Sequence, residues 1–237
     1  MEVLYRKRID MENIKIEKNM NNNKVELLGY YGSDLVHAQS AWTSTSRDLS
    51  PDKIERIPAL LKMLADNGHE TPFEKSSIHF LVTTDVATHI HILKHRIGVS
   101  VNGESARYKE LKEDAFYLPE DWNGYMENEE ESTKQYWYQA LKTYTDTGND
   151  LYHQCLEELT PVLGRKRAKE SARFFKTYNS QTTADVMFNW RSFYHFYKLR
   201  ADEHAQLEVR QTAIRMLDLV KNIEGNPFEH TIKAFNL

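Results

Sequence analysis

Residues 77–96 read SIHFLVTTDVATHIHILKHR, and the change of period inside them decides the fold class. SIHFLVTTD alternates apolar and polar residues, which is a strand with one buried face. Asp85 can accept a backbone N–H and start a helix that runs on through HIHILKHR. Upstream, VELLGYYG (25–32) reads as a strand entering a turn, and DLVHAQSAWTSTS as a helix. Ser50-Pro51 opens a further helix, with proline at its first position. Ile54, Ile57, Leu61 and Leu64 recur there at helical spacing, Pro58 is expected to kink or restart it, and Asn67-Gly68 ends it. Downstream the pattern gives a long amphipathic helix over 132–160, a basic one over 166–176 and another over 203–223 with Leu207, Ile214, Leu217 and Val220. Strands and helices therefore share one α+β domain over 24–237. The charged, Asn-rich residues 1–23 read as a partly mobile extension before it.

Composition excludes several classes of protein. The 237 residues carry 31 basic and 35 acidic side chains, a net charge of -4, so bulk attraction to nucleic acid is not expected. One cysteine excludes an internal disulfide and fits a reducing compartment. No apolar run reaches the roughly 18 residues of a membrane span, and no signal-peptide core opens the chain. The expectation is a soluble, cytoplasmic protein.

KHRIGVSVNGESARY, residues 94–108, carries the densest chemistry. Three consecutive basic residues cannot share one helix face, so Lys94, His95 and Arg96 must address different partners, and the stretch suits a polyanion. His89, His91 and His95 invite a metal reading, but no HExxH or paired carboxylates complete a site. Cys155 falls in line with Tyr144, Leu151 and Leu159, which reads as a buried hydrophobe rather than a nucleophile. GRKRAKESARFFK (164–176) sets six basic residues against Glu170, ordinarily a solvated face, with Arg173 among apolar neighbours and expected to turn inward. The acidic run at 129–131, with Glu127 before it, reads as a loop. In NWRSFYHFYKLRADEHAQLEVR (189–210), Arg191 and His195 are four apart, as are Arg200 and His204. On one continuous helix the two pairs would lie on nearly opposite sides, requiring two sites or one shared between subunits.

Over residues 25–235 the chain resembles the flavin-dependent thymidylate synthases. That family's signature is Arg-His-Arg, seven residues, then Ser, a small residue, Arg and Tyr; here it reads KHR, IGVSVNGE, SARY. YYGSD (30–34), GHETPFE (68–74), ESAR (170–173), NWRS (189–192) and LRADEHAQLEVRQ (199–211) follow in family order. Lys94 replaces the first arginine, the spacer is one residue longer, and His195 stands where many relatives have Asn or Gln. The resemblance implies a mixed sheet flanked by long helices, a homotetramer with shared sites, and methylation of dUMP to dTMP. FAD would be the cofactor, with methylenetetrahydrofolate and NADPH as co-substrates and no cysteine nucleophile. It places Ser44, Thr71, Glu74, His95, Arg96, Asn189, Arg191, His195 and His204 around FAD, and His69 near the flavin and folate. His91, Lys94, Ser105, Ala106, Arg107, Tyr108, Arg173 and Arg200 would meet dUMP, with Arg200 polarising the uracil. A metal-dependent nucleotide hydrolase and a nucleic-acid-binding module using 164–176 are the rival readings.

Overall fold

The computed structural model describes residues 23–46, 48–122 and 129–237. Residues 1–22 and Glu127 therefore lie outside the described residues. Asn23 accepts hydrogen bonds from Gln181 Nε2 (2.7 Å) and from Arg215 to its carbonyl oxygen (2.8 Å).

Four strands, β1 (Lys24–Tyr31), β2 (Ser77–Asp85), β3 (Val99–Gly103) and β4 (Gln181–Phe188), form one sheet in the order β1-β2-β4-β3. Every pairing is antiparallel, so the expected mixed sheet is corrected to a purely antiparallel one among the described residues. The physical reason lies in β3 and β4, which hydropathy does not flag. β3 sits inside the signature spacer, starting just after Gly98 and ending on Gly103, and β4 begins with the polar residues QTT. Backbone pairing of Val99 with Phe188 and Ile78 with Phe188 makes them strands.

The helices are α1 (Asp34–Trp42), α2 (Pro51–Glu55), α3 (Ile57–Asp66), α4 (Val86–Leu93), α5 (Glu129–Leu163), α6 (Arg165–Ala172), α7 (Trp190–Arg200), α8 (Leu207–Lys221) and α9 (Glu229–Ala234). Among the described helix starts, side chains cap three: Ser33 accepts from the Val36 N–H (3.3 Å), Asp85 from Thr88 (2.8 Å) and Asn189 from Ser192 (2.8 Å). Pro58 does break its segment, which divides into α2 and α3 with Arg56 between them.

One sheet face is the core. Ile78, Phe80 and Val82 of β2 and Ala184, Val186 and Phe188 of β4 are buried against Trp190, Phe193 and Phe196 of α7 and Ala213, Met216 and Val220 of α8. α9 is locked on by Asp34, which accepts from the N–H groups of His230 and Thr231 (both 2.8 Å), and by His37, which bonds Thr231 Oγ1 (3.0 Å) and Ser76 Oγ (2.9 Å). Burial pushes the His37 pKa down to about 4. α5 and α6 form a second cluster of Tyr152, Leu156, Ala168 and Ala172, with Cys155 packed against it.

Several element boundaries and faces differ from the sequence reading. α4 stops at Leu93, releasing Lys94, His95 and Arg96 into a turn. α7 and α8 are separate, because the chain turns between Arg200 and Leu207. Residues 129–131 are the first turn of α5 rather than a loop. Ile54, Tyr144, Leu151 and Ile214 are exposed, so the apolar periods containing them are not wholly core. No described helix is long and apolar enough to cross a membrane.

Candidate active site

The turn after α4 separates its three basic side chains as their adjacency requires. Lys94 and Arg96 are exposed, whereas His95 is half-buried, its ring edge-on to Phe196 at 5.0 Å and 80°. The Arg200 Nε–H donates to His95 Nε2 at 2.9 Å. Burial first, then the charges of Arg200 and His91, lower the His95 pKa to about 4, so the ring is neutral at pH 7 and Nε2 keeps its lone pair. The Ser192 hydroxyl donates to the Ile97 carbonyl (2.6 Å), and the Asn189 N–H donates to that of Gly98 (3.1 Å). Gly98 has φ +66°, and a Cβ there would overlap Ser192 Oγ and Asn189 Nδ2. Only glycine lets this turn lie against the start of α7.

The GHETPFE segment meets the other side of α7. Arg191 Nε donates to Glu70 Oε2 (2.8 Å) and Arg191 Nη1 to Glu74 Oε1 (2.5 Å), while His195 Nε2 lies 3.0 Å from Glu70 Oε2. Burial opposes ionisation of Glu70, but the hydrogen bonds and charges of His195 and Arg191 outweigh it and hold its pKa below the usual range. Arg191 and Arg200 are nine residues apart, about half a turn beyond two full turns. The two-faced arrangement expected of 189–210 therefore holds within α7 alone. His204 is not part of it: in the turn after α7, it is hydrogen-bonded to Asp202 and its side chain is 85% exposed.

The SARY turn docks on α6. Arg107 Nε donates to Glu170 Oε1 (2.6 Å), Arg167 reaches the other carboxylate oxygen (3.5 Å), and Lys169 donates to the Tyr108 carbonyl (2.8 Å). The Ser105 carbonyl accepts from the N–H groups of Tyr108 and Lys109, closing the turn. The segment 164–176 is thus more than a solvated face, since its one carboxylate anchors the signature arginine. Arg173 points outward rather than inward, as a correction: Ala172 is the fully buried position and Arg173, about 100° further round, is exposed.

Of the remaining expected residues, Ser44 follows the end of α1, its hydroxyl donating to the Ala41 carbonyl (2.9 Å), and His69 and Thr71 are exposed. His91 is half-buried on α4 and Ala106 lies in the SARY turn. No group of three His, Cys, Asp or Glu side chains able to hold a metal occurs among the described residues. A cleft of about 180 Å³ lies elsewhere, lined by Thr83, Glu104, Lys109, Asp114, Lys176 and Thr183, and none of the expected site residues borders it. Sequence marks none of Glu70, Gly98 and Ser192 as site residues, and Glu170 only as the one acid of the basic segment. A readable signal existed for Glu70 and Glu74, carboxylates four apart that match Arg191 and His195, cationic or imidazole groups also four apart.

Residues 26–224 match the family described as "Thymidylate synthase complementing protein". The chain is 32% identical over 209 residues to the flavin-dependent thymidylate synthase of Pseudothermotoga lettingae, covering 88% of this chain and 90% of that one. It is also 32% identical over 225 residues to the enzyme of that name from Thermosipho melanesiensis, covering 91% and 93%. Among solved structures, the UMP/dUMP methylase PolB of Streptomyces cacaoi, bound with 5-Br dUMP, aligns with a TM-score of 0.75 and 25% identity over 91% of this chain and 95% of that chain. With the turn after α4 fastened to α7 and the SARY turn fastened to α6, the chain belongs to the flavin-dependent thymidylate synthase family.

Proposed function

We propose that the protein methylates dUMP to dTMP, with methylenetetrahydrofolate as carbon donor, FAD as cofactor and NADPH as reductant. The observation that supports this most is the SARY turn. Glu170 grips Arg107 through Nε, and the terminal nitrogens of Arg107 make no further hydrogen bond among the described residues. A guanidinium held in this way presents its remaining fork to a phosphate. The Streptomyces cacaoi methylase is bound with a dUMP analogue, which supports the same substrate class here.

The residues present fit FAD in charge. Arg96 is an exposed cation with no ion pair among the described residues, beside the turn that Gly98 lets pack on the start of α7. Thr71, Glu74, His95, Arg96, Asn189, Arg191 and His195, with Ser44 and His204, would hold it. Reduced FAD would supply the electrons that convert the transferred carbon to a methyl group. Because Glu70 and Glu74 already neutralise Arg191, that residue fixes the shape of the site and Arg96 provides the unpaired charge.

Overall, dUMP, methylenetetrahydrofolate, NADPH and a proton give dTMP, tetrahydrofolate and NADP⁺; uracil C5 gains the carbon and loses its proton. Arg107 and Arg173, with His91, Lys94, Ser105, Ala106 and Tyr108, would bind the nucleotide, and Arg200 would stabilise negative charge developing on the ring. His69, exposed beside Glu70, is the candidate nearest the folate. Cys155 packs among Tyr152, Leu156, Ala168 and Ala172, which suits a structural residue. Assembly as a homotetramer would cover apolar surface exposed on a single chain, including Trp137 (57%), Tyr144 (64%), Val162 (74%) and Phe174 (80%). The reading places the enzyme in the cytoplasm, where nucleotide and reductant meet.

Release of tritium from [5-³H]dUMP tests the proposal, with UMP as the alternative substrate. Release that depends on methylenetetrahydrofolate, NADPH and FAD is expected. A protein that releases no tritium under these conditions would refute it.

A further inference from the structure

We infer that His95 is a positioning residue for Arg200, holding the guanidinium through Nε so that its two terminal NH₂ groups face the nucleotide ring. The inference rests on the thymidylate synthase reading above, and goes beyond a cofactor contact for His95. Phe196 and Arg200 are four apart on α7, so one helix face offers His95 both an aromatic ring and a guanidinium. The imidazole uses both, edge-on to Phe196 at 5.0 Å and accepting from Arg200 at 2.9 Å.

The imidazole is itself fixed. The backbone that carries it is held as well: the His95 main-chain N–H donates to the Ile92 carbonyl (3.0 Å), and the turn that follows is fastened to α7 through Ile97 and Gly98. An N–H donor requires a lone pair, so Nε2 is unprotonated and the ring proton sits on Nδ1. The charged and titratable groups facing the ring are Arg200 from α7 and His91 from α4. Protonation of His95 would therefore set one cation against another and release the arginine. Anchoring at Nε removes rotation about the last bonds of the side chain and leaves the terminal nitrogens without another hydrogen bond among the described residues. A charge meant to meet a developing anion acts most strongly when its position is set in advance.

The test compares wild type with His95→Phe, His95→Gln, Arg200→Ala and the double variant His95→Phe/Arg200→Ala, all at saturating FAD. His95→Phe should lower kcat for tritium release by roughly 10–100-fold, the scale of a misplaced catalytic group. Its dUMP Kd, read by calorimetry, should stay within about threefold. His95→Gln should recover much of the loss, because the side-chain amide oxygen reaches the region of Nε2. In the Arg200→Ala background, His95→Phe should cost nothing further. Saturating FAD restoring kcat in His95→Phe, or the two single losses multiplying in the double variant, would overturn the inference. A histidine NMR titration decides the pair independently of activity. Arg200→Ala should raise the His95 pKa from about 4, and an unchanged value would also overturn it. If wild type releases no tritium while this titration shifts as expected, the thymidylate synthase reading fails and the His95–Arg200 pair stands.

Discussion

Replacing Gly98 with alanine should damage the site through the backbone, without touching any charged group. The residue has φ +66°, where an L side chain is strained, at a cost of about 1–2 kcal/mol. Its new Cβ would overlap Ser192 Oγ and Asn189 Nδ2, so both side chains must move. Moving Asn189 endangers the cap of α7, about 0.5–2 kcal/mol. Moving Ser192 endangers its bond to Ile97, about 0.5–1.5 kcal/mol. Together these give roughly 2–5.5 kcal/mol. Gly225 is the control: its φ is +59° but nothing lies within 4 Å of its would-be Cβ. Gly225→Ala should therefore cost only the conformational part, about 1–2 kcal/mol. Urea denaturation at matched protein concentration measures both, and Gly98→Ala should also lose FAD uptake as His95 and Arg96 shift. Equal destabilisation by the two substitutions would refute the crowding argument.

Glu170→Gln removes the carboxylate that grips Arg107 and should weaken dUMP binding by roughly 5–50-fold, from the loss of a charge-assisted hydrogen bond; calorimetry showing an unchanged Kd would contradict the anchoring role. Cys155→Ala should keep substantial turnover, since its neighbours are Tyr152, Leu156, Ala168 and Ala172; a folded but inactive variant would restore covalent catalysis as the explanation. Stability should fall on acidification because of His37, whose folded pKa of about 4 lies below the ordinary 6.5. Above pH 6.5 both folded and unfolded states are neutral there; below it the unfolded state takes up a proton that the folded state refuses until about pH 4. This group alone should remove about 3 kcal/mol across that window, and His37→Gln should flatten the slope of denaturation free energy against pH.

The strand and helix in residues 77–96 were legible in sequence because local period and a capping carboxylate act over a few residues. The same holds for the break near Pro58 and for the two faces of α7, since helical geometry fixes where Arg191, His195 and Arg200 point. The ordered motifs were legible for another reason: chemistry restricts which side chains can stand at those positions. β3 and β4 were not legible, because they are strands only through pairing with partners far along the chain, Val99 with Phe188 and Ile78 with Phe188. A glycine-flanked or polar stretch carries no strong local preference of its own. The apolar neighbours of Arg173 do not reveal its direction, since burial of Ala172 fixes the helix rotation and turns the arginine outward. Which cation meets which partner was likewise left to tertiary structure. Glu70 and Glu74 occupy Arg191, Glu170 occupies one nitrogen of Arg107, and His95 occupies one of Arg200. Sequence supplied the charges; contacts spanning 63 to 121 residues of chain decided which nitrogens each arginine commits.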